Sequence, residues 1–275
     1  MMTKDLILEK VKAFPPLDDT VSKVMAICND ENGSVGELAK VVQSDPMTMA
    51  NILKAANSPL YGFSREIKSI SQAVSIFGMD TVKGFAFSSF LQKKLNLNLS
   101  PYNMSEQDFI SATEAQNALA VNWYKKDRSK LDILGLTSFL MDMGKIVLSN
   151  ILEDEDRVAE FKERASQTTT LLELETLEKE VFGVSNEEVT SIIFKEWNFD
   201  DTMCDAIKYL NHPEDADNSA KAYSQALQVI KTITSSQDVE LSVKIEEATA
   251  LVNKYSLDSE AFNETLKLQF EDQLA

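Results

Sequence analysis

Apolar side chains recur along this chain every three to four residues, the spacing that lines one face of a helix. Val21, Val24, Met25 and Cys28 make the first clear stripe, with Asp18 or Asp19 placed to cap its start. Ser34, followed three residues on by Glu37, has the form of a capping box, and Leu38, Val41 and Val42 come after it. Ser44-Asp45-Pro46 sets a carboxylate cap before a proline at the first helical position, ahead of Met49, Ile52, Leu53 and Ala56. Asn57-Ser58-Pro59 ends that helix. Ser69 or Ser71 is expected to cap a helix carrying Ala73, Val74 and Phe77, with Gly78 in a left-handed C-terminal position. Asp80 is expected to cap a longer one through Val82, Phe85, Ala86, Ser89 and Phe90. Phe14-Pro15-Pro16-Leu17 reads as an extended entry, because a residue before proline is pushed out of the helical region.

Residues 96–105, rich in Asn, predict a linker and a boundary. Beyond them the pattern predicts helices from Glu106 through Trp123, at Ile133 to Met141, Met143 to Leu152, Leu171 to Phe182, Asn186 to Trp197 and Asp201 to Leu210. Residues 214–275 hold neither glycine nor proline and predict three helices, near 219–235, 239–255 and 259–272. Their inward positions are Leu227, Ile230, Leu241, Ile245, Leu251 and Phe262.

Composition agrees with an all-α chain. Its 275 residues include 8 glycines and 6 prolines, too few for the many turns of sandwiches, barrels or doubly wound sheets. The net charge of −17 is unevenly spread. Residues 1–150 carry 16 acidic and 16 basic side chains, so the whole excess lies after them. No global basic face exists, and neither nucleic-acid binding nor an anionic membrane surface is expected. Lys125, Lys126, Arg128 and Lys130 form a local basic cluster that a solvated helix end explains. Cys28 and Cys204 read as small buried hydrophobes. Residues 1–12 do not resemble a secretion signal and no long apolar run occurs, so a cytoplasmic protein without membrane insertion is expected.

Several strings share one resemblance. Phe14-Pro15-Pro16-Leu17, Ser44-Asp45-Pro46, Ala55-Ala56-Asn57-Ser58-Pro59-Leu60-Tyr61-Gly62, Ile67 to Ile70 and Ala73 to Gly78 stand in the order of the opening motifs of the HDOD domain. The loop Asn57, Ser58, Pro59, Leu60, Tyr61, Gly62 is the most specific of them. Leu140-Met141-Asp142-Met143-Gly144-Lys145 resembles that family's degenerate His-Asp helix, and Val181 to Val184 and Ala206 to Tyr209 match further strings. The resemblance covers residues 6–215. It implies an HDOD-type multi-helix bundle with an N-terminal helical part at 6–98 packed on a degenerate HD-like part at 106–215. An acidic helical extension, 216–275, follows.

HD phosphohydrolases hold metal ions through histidines and aspartates that activate water. Here the diagnostic dipeptide is Met141-Asp142, and a thioether will not hold such a metal. Gln116 and Asn117 stand near an upstream histidine position, Asn186 near another, and Leu210-Asn211 at a later His-His pair. His212 is the single histidine of the chain, too little to rebuild the ligand shell. The resemblance therefore implies no metal, no cofactor and no catalysis. It implies a bacterial signalling and regulatory module that contacts unidentified signalling proteins in trans. Asp142 is expected to cap or bond a backbone amide, and Met47, Met49, Met141 and Met143 to be core. The alternative is a sensor, with a remnant cavity at Gln116, Asn117, Met141, Asp142, Asn186 and Asn211 holding a small polar ligand or nucleotide.

Overall fold

Local signals start most helices where the sequence places them. In a computed structural model, residues 4–12, 17–30, 32–63, 65–94 and 97–274 are described. Phe14-Pro15-Pro16 and Asn96 lie outside the described residues. The chain forms α1 (Lys4–Lys12), α2 (Asp19–Asn29), α3 (Val35–Gln43), α4 (Pro46–Ala56), α5 (Ile70–Phe77) and α6 (Met79–Lys94). Then come α7 (Glu106–Trp123), α8 (Arg128–Leu140), α9 (Met143–Asp154), α10 (Val158–Ala165) and α11 (Leu171–Phe182). The last are α12 (Asn186–Glu196), α13 (Asp201–Lys208), α14 (Asn218–Thr234), α15 (Leu241–Lys254) and α16 (Ser259–Leu274). No strand occurs among the described residues, and none of their helices is long and apolar enough to cross a membrane.

The caps follow their chemistry. Asp18, Asp45 and Ser69 accept backbone N–H groups at the starts of α2, α4 and α5, and Ser34 with Glu37 closes a full capping box on α3. Two more boxes, Thr170 with Glu173 and Ser185 with Glu188, start α11 and α12. Asp80 is not a cap, because α6 already begins at Met79 and Asp80 lies in its first turn, paired with Lys83 at 2.5 Å. Gly78 has φ +85° with ψ 166°, so it turns the chain with a positive φ but outside the left-handed helical region.

Two compact units emerge, each assembled from separate stretches. Unit 1 comprises Met1–Phe14, Leu97–Gln116 and Leu140–Ser259, and unit 2 comprises Pro15–Asn96, Asn117–Phe139 and Glu260–Ala275. This differs from the linear division the sequence suggests: α14 and α15 belong to unit 1, and α16 to unit 2. In unit 2, α2 to α6 pack on one another, and edge-to-face rings run from Tyr61 to Phe77 (4.8 Å), Phe85 (5.3 Å) and Phe139 (5.6 Å). In unit 1, α9, α12, α13, α14 and α15 pack in succession, and α1 lies against α9 and α12.

Residues 97–105 are not a solvated linker. Leu97, Leu99 and Tyr102 are buried, a 3-10 turn forms at Ser100–Tyr102, and Tyr102 meets Phe161 of α10 edge to face at 5.2 Å. Met47 is 59% exposed, on the side of α4 away from buried Thr48 and Ile52, whereas Met141 and Met143 are core. On α15 the fully buried positions are Ala248 and Val252, while Leu241, Ile245 and Leu251 are half-buried. Cys204 is buried and Cys28 half-buried; burial pushes their thiols up to about 11 and about 12, so both stay protonated.

Leu99→Ala is expected to cost about 2–5 kcal/mol in urea unfolding, the range for emptying a filled core site. Leu172→Ala, at a half-exposed position, should cost less than about 0.5 kcal/mol. Equal small effects would mean that residues 97–105 are a linker after all.

Candidate functional site

The motif loop belongs to unit 2, and its residues hold one another. Asn57 ends α4 and staples the loop: its Nδ2 donates to the carbonyls of Leu53 (2.8 Å) and Ile67 (2.9 Å), and its Oδ1 accepts the Ile67 N–H (2.8 Å). Ser58 and Pro59 start the 3-10 turn Pro59–Tyr61, and Gly62 closes it at φ +65°. The buried Tyr61 hydroxyl donates to Asn117 Oδ1 at 2.6 Å, and Asn117 Nδ2 donates to the Gly135 carbonyl of α8 at 2.6 Å. The Leu60 carbonyl accepts Asn122 Nδ2 of α7 at 2.8 Å. Asn117, counted by sequence among the remnant HD positions, therefore anchors the motif loop instead.

Most of the positions expected to form an HD-like site lie in unit 1, where the N-termini of α9 and α12 meet. Gly144 makes the approach possible, since a Cβ there would run into the Asn186 backbone carbonyl. The first amides of α9 are satisfied across this contact: Gly144 N–H donates to Thr190 Oγ1 (2.8 Å) and Lys145 N–H to Asn186 Oδ1 (2.9 Å). Asn186 Nδ2 returns to the Met141 carbonyl at 3.0 Å. Asn186 is thus a clamp between two helices, and Met141 supplies a carbonyl and a buried thioether.

Asp142 does not cap a helix with its side chain. Its Oδ1 meets two ammonium groups, Lys145 Nζ and Lys231 Nζ of α14, each at 3.0 Å, and its Oδ2 accepts Gln116 Nε2 at 2.7 Å. Lys231 also reaches Glu187 Oε1 at 2.5 Å. Both lysines are 3% exposed. Two carboxylates and two ammonium groups balance in a sealed volume, where an unmatched charge would be very costly. Burial alone would raise Asp142, but Lys145 and then Lys231 overcome it and hold the carboxyl well below its usual range. Glu187 is likewise lowered against burial by Lys231, and Lys231 is raised by Asp142 and Glu187.

Glu178 of α11 is a third buried carboxyl without a cation of its own. Its Oε2 accepts the Asn186 N–H at 2.7 Å, and burial, followed by repulsion from Glu187, pushes it up to about 8. It holds its proton to much higher pH than an ordinary glutamate. Tyr102, whose ring centroid lies 5.5 Å from Lys145 Nζ, is raised by burial and by Glu178. Asn211 is buried, but its partner is made through the backbone, with its carbonyl accepting Gln228 Nε2 at 3.1 Å. His212 is half-exposed, and its Nε2 pairs with Glu175 Oε2 at 3.0 Å.

Of the expected remnant positions, Gln116, Met141, Asp142 and Asn186 come together; Asn117 does not, and Asn211 shares no bond with them. The donor set does not suit a metal ion, because both oxygens of Asp142 already face cations or an amide and the nearest carboxylates are paired or protonated. Among the described residues no group of three or more His, Cys, Asp or Glu side chains is placed to hold one. Lys231, Glu187 and Glu178 escaped sequence reading. A signal existed: Lys231 continues the buried stripe Ser224, Leu227, Gln228, and Glu178 sits between Leu174 and Val181.

Comparison with known proteins agrees with this geometry. The HDOD domain family model matches residues 14–213, so the chain belongs to the HDOD domain family. Among solved structures, a virulence factor of Campylobacter jejuni subsp. jejuni is 25% identical, with TM-score 0.58, covering 96% of this chain and 93% of that one. A Shewanella amazonensis protein with a provisional phosphohydrolase name is 18% identical, with TM-score 0.68 and 98% of both chains covered. An HDOD domain protein of unknown function from Geobacter sulfurreducens is 18% identical, with TM-score 0.56, covering 97% of this chain and 99% of that one. The latter two share the fold with this chain. No curated protein matches it.

Lys231→Ala should destabilise the protein by about 3–5 kcal/mol, because it strands the buried Glu187 carboxylate and leaves Asp142 with Lys145 alone; chemical denaturation at pH 7 measures this. Glu178 gives a pH signature. Its pKa is higher folded than unfolded, so its stabilisation is complete below about 4.5 and is lost as pH rises to about 8. Glu178→Gln should flatten that fall in a series of unfolding curves from pH 5 to 9. An unchanged slope would show Glu178 to be ionised in the folded protein.

Proposed function

We propose that this chain is a non-catalytic regulatory module of bacterial signalling that acts by binding other proteins. One observation carries the reading: Asp142, the surviving half of the His-Asp pair, is neutralised by Lys145 and Lys231. An HD hydrolase needs a metal cation beside that carboxylate to activate water. Here two covalently attached ammonium groups supply the positive charge, and an ammonium neither carries hydroxide nor opens a coordination position. Lys231 comes from α14, beyond the residues the family model matches, so the extension completes the neutralisation. What remains is a rigid helical scaffold whose usefulness lies in its surfaces.

Small-molecule sensing is a second reading, favoured by a cavity of about 580 Å³ within unit 1. Tyr102, Asn103, Ser166, Thr168, Gln237 and Lys244 line part of it. Tyr102 also faces the buried charges, so a ligand there would press on the same network. Thermal shift with nucleotides separates this reading from the first.

Purified protein supplied with manganese, iron or zinc is expected to retain less than stoichiometric metal and to leave a phosphodiester substrate intact. Metal-dependent turnover that disappears in Asp142→Asn would overturn the non-catalytic reading. For the interaction itself, the acidic excess after residue 150 implies steering of any basic region a partner carries. Association with an isolated partner should slow as salt rises, and changing the exposed Glu246 and Glu247 to Gln should weaken that dependence.

A further inference from the structure

The helix α16 lies beyond the family match, yet it seats on the motif loop within unit 2. Phe262 stacks on Trp123 of α7 with ring centroids 4.9 Å apart, and Glu264 Oε2 pairs with Lys125 Nζ at 3.5 Å. Leu268 packs over Gly62, where an added Cβ would lie 2.7 Å from its Cδ1. Gln269 Nε2 donates to the Leu60 carbonyl at 3.4 Å. Phe262, Glu264, Leu268 and Gln269 thus read four parts of one surface: a ring, a cation, a glycine and a loop carbonyl.

That surface also differs in charge from the rest of the molecule. Without residues 260–275, unit 2 carries 12 basic and 10 acidic side chains, whereas unit 1 carries 14 basic and 30 acidic. The cluster Lys125, Lys126, Arg128 and Lys130 lies at its α7–α8 corner, with Lys126 exposed beside the paired Lys125. The occupant is acidic in turn, with four carboxylates and one lysine over residues 260–275.

The fit of α16 is nonetheless incomplete. Gln269 Oε1 is buried with no protein partner, and Phe63 and Leu268, beside the seat, are each 48% exposed. A helix with an apolar residue in place of Gln269 would leave no such acceptor stranded.

We propose that the motif-loop face of unit 2, formed by Leu60, Gly62, Trp123, Lys125 and Lys126, is a docking seat for an acidic amphipathic helix. In this chain α16 fills it, and a partner helix with an aromatic anchor, a glutamate two residues on and a leucine six residues on displaces it. This rests on the reading of the protein as an interaction module and names the chemistry of one partner element. Recognition follows the helix-in-groove mode, with a charged rim that sets the approach.

The test uses the full-length protein and a fluorescein-labelled peptide of residues 257–275. Phe262 and Leu266 are buried on α16, so Phe262→Ala/Leu266→Ala loosens the helix, and this variant should bind the peptide one to one, at least ten-fold tighter than the wild type. Adding Lys125→Glu and Lys126→Glu should weaken that binding about ten-fold. Leu268→Glu provides a second way to unseat the helix if the double variant does not unfold cooperatively. Hydrogen exchange gives an independent reading, in which amides of α16 should exchange faster than those of α14. No saturable binding to a folded variant, equal binding to the wild type, or exchange in α16 as slow as in α14 would each overturn the proposal. None of these results bears on metal content or phosphodiester hydrolysis, so the non-catalytic reading stands or falls separately.

Discussion

Two buried lysines and two buried carboxylates must stay matched, and much of unit 1 is arranged around that requirement. Removing an ion from water costs several kcal/mol even after relaxation, so each member is tolerable only while its partners hold position. Asp142 comes from the turn before α9, Lys145 from its first turn, Glu187 from the first turn of α12 and Lys231 from the last turn of α14. Three helices are therefore tied together electrostatically as well as by packing. Asn186 and Thr190 complete the arrangement by taking the amides at the start of α9, which would otherwise be buried donors without acceptors.

The same constraint gives Glu178 its role. A third carboxylate beside a balanced quartet cannot ionise cheaply, so it keeps its proton and uses Oε2 to accept the Asn186 N–H. Charge balance is what the surroundings of Asp142 enforce, and the lysines fix the positive charge beside that carboxylate covalently.

What could be read from the sequence follows how local each signal is. Asp18, Ser34, Asp45 and Ser69 cap helices by bonds spanning two or three residues, and such bonds need no knowledge of the rest of the chain. Stripes on α2 to α5 were equally legible because burial there follows helical period. Residues 97–105 misled because alternating asparagines conceal Leu97, Leu99 and Tyr102, all of which are core. Gln116 and Asn117 illustrate a different failure. Successive residues on a helix point about 100° apart, and here that offset sends the two amides to different surroundings. Gln116 meets Asp142 and Asn117 meets Tyr61, each within its own unit. Lys231 was hidden because sequence shows a lysine on an apolar face without showing which carboxylate, 89 residues away in Asp142, makes its burial affordable.

Placing α16 in unit 2 also follows from charge. Unit 1 carries more than twice as many acidic as basic side chains, so another acidic helix there would add self-repulsion. Unit 2 offers a local cluster of basic side chains around Lys125 and an aromatic face at Trp123. Electrostatics therefore selects the unit, and Phe262 and Leu268 select the register on it. The motif loop has a structural reason for each residue on its inner side: Asn57 staples it, Tyr61 anchors it, and Gly62 turns it. Its outer side supplies the bare Gly62 backbone against which a helix can lie, and the Leu60 carbonyl, already accepting Asn122, takes Gln269 as a second donor. A segment that folds itself through its inward groups keeps its outward ones available for recognition. That separation lets one short string serve both the fold and a surface, without chemistry at Asp142 being required of either.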